Sequence, residues 1–395
     1  MNTISNNAFL EEEGSKGYAF LLSILPLIMM YKTPGLNQGL TTILLAVSML
    51  YAIIKIHQKI NDINFGLLLP IYCYLIYVSF KSDITNILLC IAIAVHLTAI
   101  SLKTVNYSKL LKYMQFFACA AAIAVILQQI AYRLAGIHIQ MVRPELMIES
   151  LTSYARAART GYSEANNIYR PCAFFLEPSH FSQYCIVVLT TILLNTEKIT
   201  KKAVLISIGI LMTTSGLGFV LVFCTWSWWY LRKKGSNSLI RNAIILAAIL
   251  LILFPLLKNI EFFNKIISRI TVSTADSGDY NAIEGRLFWW DTFFGNKEWT
   301  DMIFGYGREA LPENIYFTGF MVQLYAYGII GFSLLCFVLI RFMSCRNMIA
   351  MTLSVIYAGL LFFANLTGFI SIIFIFGFII ANIVNDKIFS YQKII

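Results

Sequence analysis

Charge is scarce in this sequence: Asp, Glu, Lys and Arg make up 13% of the 395 residues, whereas apolar residues make up 58%. Soluble domains carry roughly 25% charged residues, so this composition is not that of an ordinary globular protein. The sequence also lacks a CxxC pair, a Cys/His metal spacing, a Walker loop and an Asp-x-Asp motif. We therefore expect no metal and no cofactor. The net charge of +10 does not indicate nucleic-acid binding, because no basic stripe interleaved with aromatics marks a soluble domain.

The sequence has instead a series of apolar runs of roughly 15 to 25 residues, about the length of a helix that crosses a bilayer. A helix is expected because lipid offers no partner to an unpaired backbone N–H or C=O. We therefore predict an all-α, polytopic membrane protein that forms a single domain of about twelve spans. The spans are predicted near 17–31, 38–54, 64–80, 84–101, 113–132, 177–195, 203–215, 216–231, 242–257, 318–340, 347–367 and 368–385, and the two long connections are 133–176 and 258–317.

The basic residues outside these two connections indicate the topology. If the N-terminus lies inside and the spans alternate, 17 of them lie on the inner face and only Lys32 and Lys81 lie in outer turns. This asymmetry is the positive-inside pattern. It requires the apolar run 203–231 to be two helices that meet near 214–218, since a single helix would move the basic residues of 232–241 outside. We therefore predict that both termini are cytoplasmic.

The two outer connections differ from the inner ones in the type of basic residue. Lys accounts for 13 of the 17 inner basic residues, whereas Arg accounts for 8 of the 11 in the outer connections. The guanidinium group of arginine binds phosphate or carboxylate through paired hydrogen bonds. The excess of arginine over lysine in the outer connections therefore predicts an anionic ligand on the outer face. The alternative for any single arginine there is contact with lipid headgroups or solvent. Within 144–160 apolar residues recur at helical spacing, and Arg156 and Arg159 share one side, which predicts a short helix on the membrane surface.

The first outer connection ends in the stretch R-P-C-A-F-F-L-E-P-S-H-F (170–181), where a polar loop meets an apolar run. We expect a helix to begin at Pro178, which places the Glu177 carboxylate near a helix N-terminus. The apolar residues between them can dip into the protein and bring Arg170 toward Glu177. An ion pair with a purely structural role is the alternative. His180 lies one turn further on, and a histidine in such a position is more often structural than catalytic.

Three motifs follow one another along the chain. They consist of Arg170 with Glu177, Pro178 and Phe181; of Arg286 with Trp289 and Trp290 ahead of I-F-G-Y-G (303–307); and of Asn314 and Tyr316 ahead of Y-G-I-I-G (327–331). In order and spacing they resemble the motifs of bacterial O-antigen polymerases, within the wider superfamily of O-antigen ligases and polymerases. The resemblance covers roughly residues 110 to 345, and the first four spans carry only generic hydrophobicity.

The resemblance implies a C-type, inverting, metal-independent membrane glycosyltransferase in the bacterial inner membrane, with its active site at the periplasmic face. Its substrate would be an oligosaccharide repeat unit on undecaprenyl diphosphate, and its product a longer O-antigen chain for lipopolysaccharide. The other implied partners are membrane lipid, a chain-length regulator and a flippase. Guanidinium groups would stabilise the diphosphate that leaves, and a carboxylate or imidazole base would act on the acceptor hydroxyl.

The resemblance also implies roles for individual residues. The diphosphate would be bound by Arg170, Arg286 and Arg308, and the sugars by Asn314, Tyr316, Trp289, Trp290, Arg156 and Arg159. The candidate catalytic residues are Glu313, Glu177 and His180. Ligases of the superfamily carry a histidine beside the asparagine, whereas Glu313 stands there in this chain, which favours a polymerase. We expect Glu313 to engage the acceptor hydroxyl and Glu177 to hold Arg170.

Three other classes of protein remain as alternatives. An O-antigen ligase, which transfers polysaccharide to lipid A-core, shares most of the motifs. A lipid-linked oligosaccharide flippase would also have about twelve spans, but it should carry charges within its helices and show two related halves. A structural subunit of a polysaccharide assembly would give no reason for arginine to replace lysine outside.

Overall fold

The structure is a computed structural model that describes residues 14–33, 39–141, 144–148, 169–196, 198–232, 298–311, 317–364 and 368–385. These residues form α-helices joined by turns, with isolated bridges but no β-strand. The helices are α1 (Lys16–Ile28), α2 (Leu40–Gln58), α3 (Phe65–Phe80), α4 (Ile84–Ser101), α5 (Tyr107–Ala135), α6 (Pro178–Thr196), α7 (Lys201–Met212), α8 (Gly216–Arg232), α9 (Trp299–Phe304), α10 (Gly319–Met343), α11 (Met348–Phe363) and α12 (Phe369–Val384).

The helices coincide with the predicted apolar runs. Eleven of the twelve predicted spans are helical in the structure, one of them (α10) with a break, and the run 242–257 lies outside the described residues. Polar residues at the ends of the runs set the boundaries: the side chains of Asp83, Asn106 and Asn347 each accept a hydrogen bond from a backbone N–H of the following first turn, at 2.8 to 3.0 Å. Such caps satisfy backbone donors that a helix leaves unpaired at its start.

The surface of the helices has the character of a helical membrane protein. By length and composition alone, α2, α4, α5 and, counted through its break at Gly328, α10 are each apolar and long enough to cross a membrane. Large apolar side chains on one side of α5 are exposed: Phe116, Ile123, Leu127, Ile130 and Leu134. A contiguous apolar stripe of this kind would be unfavourable in water and is typical of a surface that faces lipid.

The run 203–231 forms two helices, as predicted. Helices α7 and α8 are separated by a short turn in which Thr214 has a positive φ of 56°. The indole Nε1 of Trp226 donates to Ser207 Oγ at 2.9 Å, which ties the two helices together as an antiparallel pair. The residues of the turn are buried, so their backbone and hydroxyl groups depend on partners within the protein.

Helix α10 covers the predicted span 318–340, but it is not one continuous helix. Gly328 has φ 64° and ψ −169°, which interrupts the helix. The rings of Phe320 and Phe332 lie 4.9 Å apart, whereas twelve residues of straight helix would separate them by about 18 Å along the axis. The segment before Gly328 is therefore folded back against the segment that follows it. The predicted helix forms, but its break was not predicted, because apolar composition does not report the direction of the chain.

The predicted surface helix 144–160 is also corrected where the structure describes it. Residues Pro144–Leu146 form a single 3-10 turn and the chain then pairs with the end of α1, since Lys32 N–H donates to Leu146 O at 2.9 Å and Ile148 N–H donates to Met30 O at 3.1 Å. Met147 is buried against Met30 and Leu176. This pairing uses backbone groups that an α-helix would have needed. Residues 149–160, with Arg156 and Arg159, lie outside the described residues.

Residues that the sequence assigns to the same face are in contact. On the inner face the Arg341 Nε donates to Gly66 O at 2.9 Å, and on the outer face the Lys81 ammonium donates to Gly305 O at 3.2 Å. The alternation of the described helices between two faces is thus consistent with the predicted topology. That the basic face is cytoplasmic stays a prediction.

Candidate active site on the outer face

The first motif enters the protein as predicted. Ala173 and Phe175 are fully buried, and the ring of Phe175 packs against those of Phe181 and Tyr184, each at 5.7 Å between centroids. The apolar stretch between Arg170 and Glu177 therefore anchors the loop to α6 through ring contacts within the core. This burial fixes the two charged residues relative to the helix bundle.

A buried glutamine holds the sharpest turn of this loop. Ala173 has a positive φ of 51°, a strained conformation for a residue with a Cβ. Its N–H donates to Gln128 Oε1 on α5 at 2.9 Å. The Gln128 Nε2 donates to Ile139 O at 2.8 Å, and the Tyr169 hydroxyl donates to the same carbonyl at 3.1 Å. Helix α5 is thereby tied to both ends of the outer connection.

The start of α6 carries two candidate catalytic residues. Helix α6 begins at Pro178, as predicted, and the Glu177 carbonyl accepts from Phe181 N–H at 3.2 Å. Its carboxylate accepts from the Ser179 hydroxyl at 2.7 Å. His180 lies in the same turn, within the electrostatic reach of Glu177, and its Nδ1 is buried without a hydrogen-bond partner among the described residues. The loop thus gathers Glu177 and His180 at one helix N-terminus.

Arg170 lies at the entrance of the same loop and is half-buried. Its positive charge interacts electrostatically with the thiol of Cys172 and acts to lower the pKa of that thiol. Burial nevertheless dominates there and raises the pKa of Cys172 to about 12, with Arg170 acting in the opposite direction. Burial, with a smaller contribution from Cys172, likewise raises the pKa of Tyr169 to about 12. Cys172 is therefore a neutral thiol at neutral pH and a poor nucleophile.

The described parts of the second and third motifs, 303–307 and 327–331, are separate in the sequence but dock onto each other. Backbone N–H groups of the segment after α9 donate hydrogen bonds to carbonyls just before the break in α10. The Tyr306 N–H donates to Tyr325 O and the Gly307 N–H donates to Ala326 O, both at 2.9 Å. The break frees these carbonyls from the helix, and the docked segment satisfies them. A Cβ added to Gly328 would lie 2.3 Å from Ile303 O, so the two backbones meet at a distance that only glycine permits.

The docked segment is also tied to the turn between α3 and α4. The Glu309 carboxylate accepts from Asp83 N–H and from Asn86 Nδ2, each at 3.0 Å. Partial burial pushes the pKa of Glu309 up, but these hydrogen bonds, one from its own backbone and the charge of Arg308 outweigh it, so the pKa lies below its usual range. Glu309 therefore acts as an anionic clamp on the N-terminus of α4.

Arg308 is half-buried between these elements. Its backbone N–H donates to Lys81 O at 3.3 Å. Its charge reaches two tyrosines buried below the outer surface, Tyr74 and Tyr327. The Tyr74 hydroxyl donates to Gln323 Oε1 at 3.1 Å. This polar group was not predicted from the sequence, and the only signal for it was the presence of polar residues within apolar spans.

The described candidates lie in two groups on the face that is predicted to be the outer one. Arg170, Glu177 and His180 lie in the 169–180 segment beside α5, whereas Arg308 lies between α3, α4 and α10. The other predicted site residues lie outside the described residues: Glu313, Asn314, Tyr316, Arg286, Trp289, Trp290, Arg156 and Arg159. Within the part of the chain that the structure describes, no group of three or more His, Cys, Asp or Glu residues could hold a metal ion.

Comparison of the chain with protein-family models, with curated proteins and with solved structures finds no match. A function for this chain therefore has to be argued from its own residues and their placement.

Proposed function

We propose that the chain is a bacterial O-antigen polymerase, which extends a surface polysaccharide from repeat units carried on undecaprenyl diphosphate. The observation that carries the proposal is the docking of I-F-G-Y-G (303–307) at Y-G-I-I-G (327–331). It rests on backbone hydrogen bonds to Tyr325 and Ala326, directly before the second motif, and on the close approach of Gly328 to Ile303 O. Two motifs on which the resemblance rests thus form one structural unit on the outer face. The unit places Arg308 beside the outer end of α3.

In the proposed reaction the oxygen of the acceptor hydroxyl attacks the anomeric carbon of the donor chain. The bond from that carbon to the diphosphate oxygen breaks, and its electron pair leaves with the diphosphate. Arg170, Arg286 and Arg308 stabilise the resulting charge in a partly dehydrated site. Glu313 takes the proton of the acceptor hydroxyl. Glu177, at the start of α6, holds Arg170 in place, and His180 is the third candidate for the base.

A polymerase fits the described helices better than a flippase does. In the described spans the Lys and Arg residues lie within the first or last two turns of a helix, and none lies at mid-span. A transporter of a diphosphate-linked substrate would need charge along its path through the membrane. A ligase differs by a histidine at the position of Glu313. The proposed location is the bacterial inner membrane, with both termini cytoplasmic and a periplasmic active site.

The test of diphosphate binding is an elongation assay on the lipid-linked repeat unit with Arg170→Lys and Arg286→Lys variants. Each substitution keeps the charge and removes the planar fork. We expect each to lower the rate at least about tenfold, a little over 1 kcal/mol of transition-state stabilisation. Full elongation by both variants would show that these arginines only set the topology.

The same assay separates the two candidate bases. Glu313 stands where the ligases of the superfamily carry their histidine, beside Asn314, which favours Glu313 over Glu177 as the base. We expect Glu313→Gln to stop elongation while the protein stays folded. If Glu313→Gln elongates normally and Glu177→Gln is inactive, the role of the base passes to Glu177.

A further inference from the structure

Gln128 is a polar residue on the buried side of α5, and it uses both ends of its amide. It is 2% exposed and, together with its neighbour Gln129, interrupts an apolar part of the helix. Its oxygen accepts from Ala173 N–H at 2.9 Å and its nitrogen donates to Ile139 O at 2.8 Å. A buried glutamine with both groups satisfied is costly to replace, because each former partner would be left unpaired.

The two partners of Gln128 lie at opposite ends of the outer connection 133–176. Ile139 follows the end of α5, and Ala173 precedes the start of α6. Ala173 carries the strained φ of 51°, so its conformation needs a partner that holds it. The Ile139 end is reinforced by the Tyr169 hydroxyl, which donates to the same carbonyl at 3.1 Å. One side chain thus fixes both ends of the loop that carries Arg170.

Contacts between aromatic rings also hold the two ends of the outer connection together. The rings of Tyr132, His138 and Tyr169 pack against one another, with centroids 4.7 to 5.0 Å apart. Tyr132 lies on α5, His138 lies just beyond it, and Tyr169 precedes Arg170 directly. The rings supply non-directional packing, whereas the hydrogen bonds of Gln128 define the path of the backbone at Ala173.

We infer that Gln128 is a positioning residue, which sets the path of the loop from Arg170 to Glu177 and so the placement of both side chains at the outer rim. Its role in catalysis rests on the proposed function, whereas its control of the loop does not. Gln128 acts through Ala173 and touches neither charged side chain in the described contacts, so its removal should disturb the loop and leave α5 and α6 formed.

Cys172 provides a local reporter for this control. It precedes Ala173, and its thiol has a pKa of about 12 because of burial, so little of it is the reactive thiolate. In protein purified in detergent, we expect Gln128→Met to raise the rate at which a maleimide labels Cys172 by at least about tenfold, since methionine fills the space but cannot hold Ala173. A Cys172→Ser variant gives the background from the other cysteines.

Gln129 is the matched control, because it is the same residue type on the same helix, is 4% exposed, and its Oε1 has no partner among the described residues. Gln129→Met should label at the wild-type rate. Equal labelling of Gln128→Met and wild type would overturn the inference, and so would an equal rise in both methionine variants. If Gln128→Met does not accumulate, Gln128→Asn replaces it, because a side chain one methylene shorter cannot hold both partners.

Activity gives a second readout that a merely structural role would not produce. If Gln128 acts by placing Arg170, the loss of elongation in a Gln128→Met, Arg170→Lys double variant should be no larger than about the larger of the single losses. Fully additive losses would contradict the positioning role. Faster labelling of Cys172 in a chain without elongation activity would support control of the loop and count against the proposed function alone.

Discussion

Replacing Gly328 with alanine tests whether the break in α10 is a built feature of the fold. Its φ of 64° and ψ of −169° lie in a region that only glycine adopts without strain, and an added Cβ would lie 2.3 Å from Ile303 O. Backbone strain of this kind costs about 1–3 kcal/mol, and forced overpacking adds about 1–3 kcal/mol. We therefore expect Gly328→Ala to lower the free energy of unfolding by about 2–6 kcal/mol.

The matched control is Gly359→Ala on α11, where an added Cβ would meet nothing within 4 Å. Alanine is favoured over glycine within a helix by about 0.5–1 kcal/mol, so this variant should be as stable as wild type or more stable. The measurement is unfolding of the purified protein in mixed micelles titrated with SDS, followed by circular dichroism. Equal free energies of unfolding for the two variants would refute the reasoning, because they would mean that the chain at Gly328 relaxes without cost.

Two further predictions concern the clamp and the topology. Because the pKa of Glu309 is held below its ordinary value of 4.5, its stabilising contribution should be present above that pH and be lost as the pH falls through the lower folded value. Hydrogen exchange at Asp83 should report this loss, and the same pH dependence in Glu309→Gln would assign it to another group. Single cysteines placed at 233–241 should react only with reagents that reach the inner face. Labelling from the outside would overturn both the predicted topology and a shared outer site.

Much of the fold follows from local features of the sequence. Helices coincide with the apolar runs because a helix pairs its own backbone N–H and C=O groups. Capping residues such as Asp83 and Asn106 define where a helix begins. The start of α6 at Pro178 was predicted for the same reason, since proline at the first position loses no hydrogen bond. The division of 203–231 into two helices was predicted from charge outside the run.

The errors have one physical origin. Helix α10 has the composition of a single span, but Gly328 reverses its direction, and its backbone carbonyls find donors in a segment that precedes the helix in sequence. In the described part of the predicted helix 144–160, residues 144–148 form a 3-10 turn and then pair through their backbone with Met30 and Lys32. In both places a distant segment supplied hydrogen bonds that no local pattern reveals.

In the candidate site, too, some features follow from the local sequence and others from contacts between distant segments. The class of the chain, its apolar helices and the charged residues of the 170–181 loop follow from the local sequence, because hydrophobicity, capping and charge are properties of neighbouring residues. No local pattern indicated that Gln128 holds Ala173, that Glu309 binds the start of α4, or that two glycine motifs form one unit; the packing of the helices sets these contacts. These contacts join groups far apart in the chain, and they exist because buried backbone groups must find partners wherever the packing of the helices brings them.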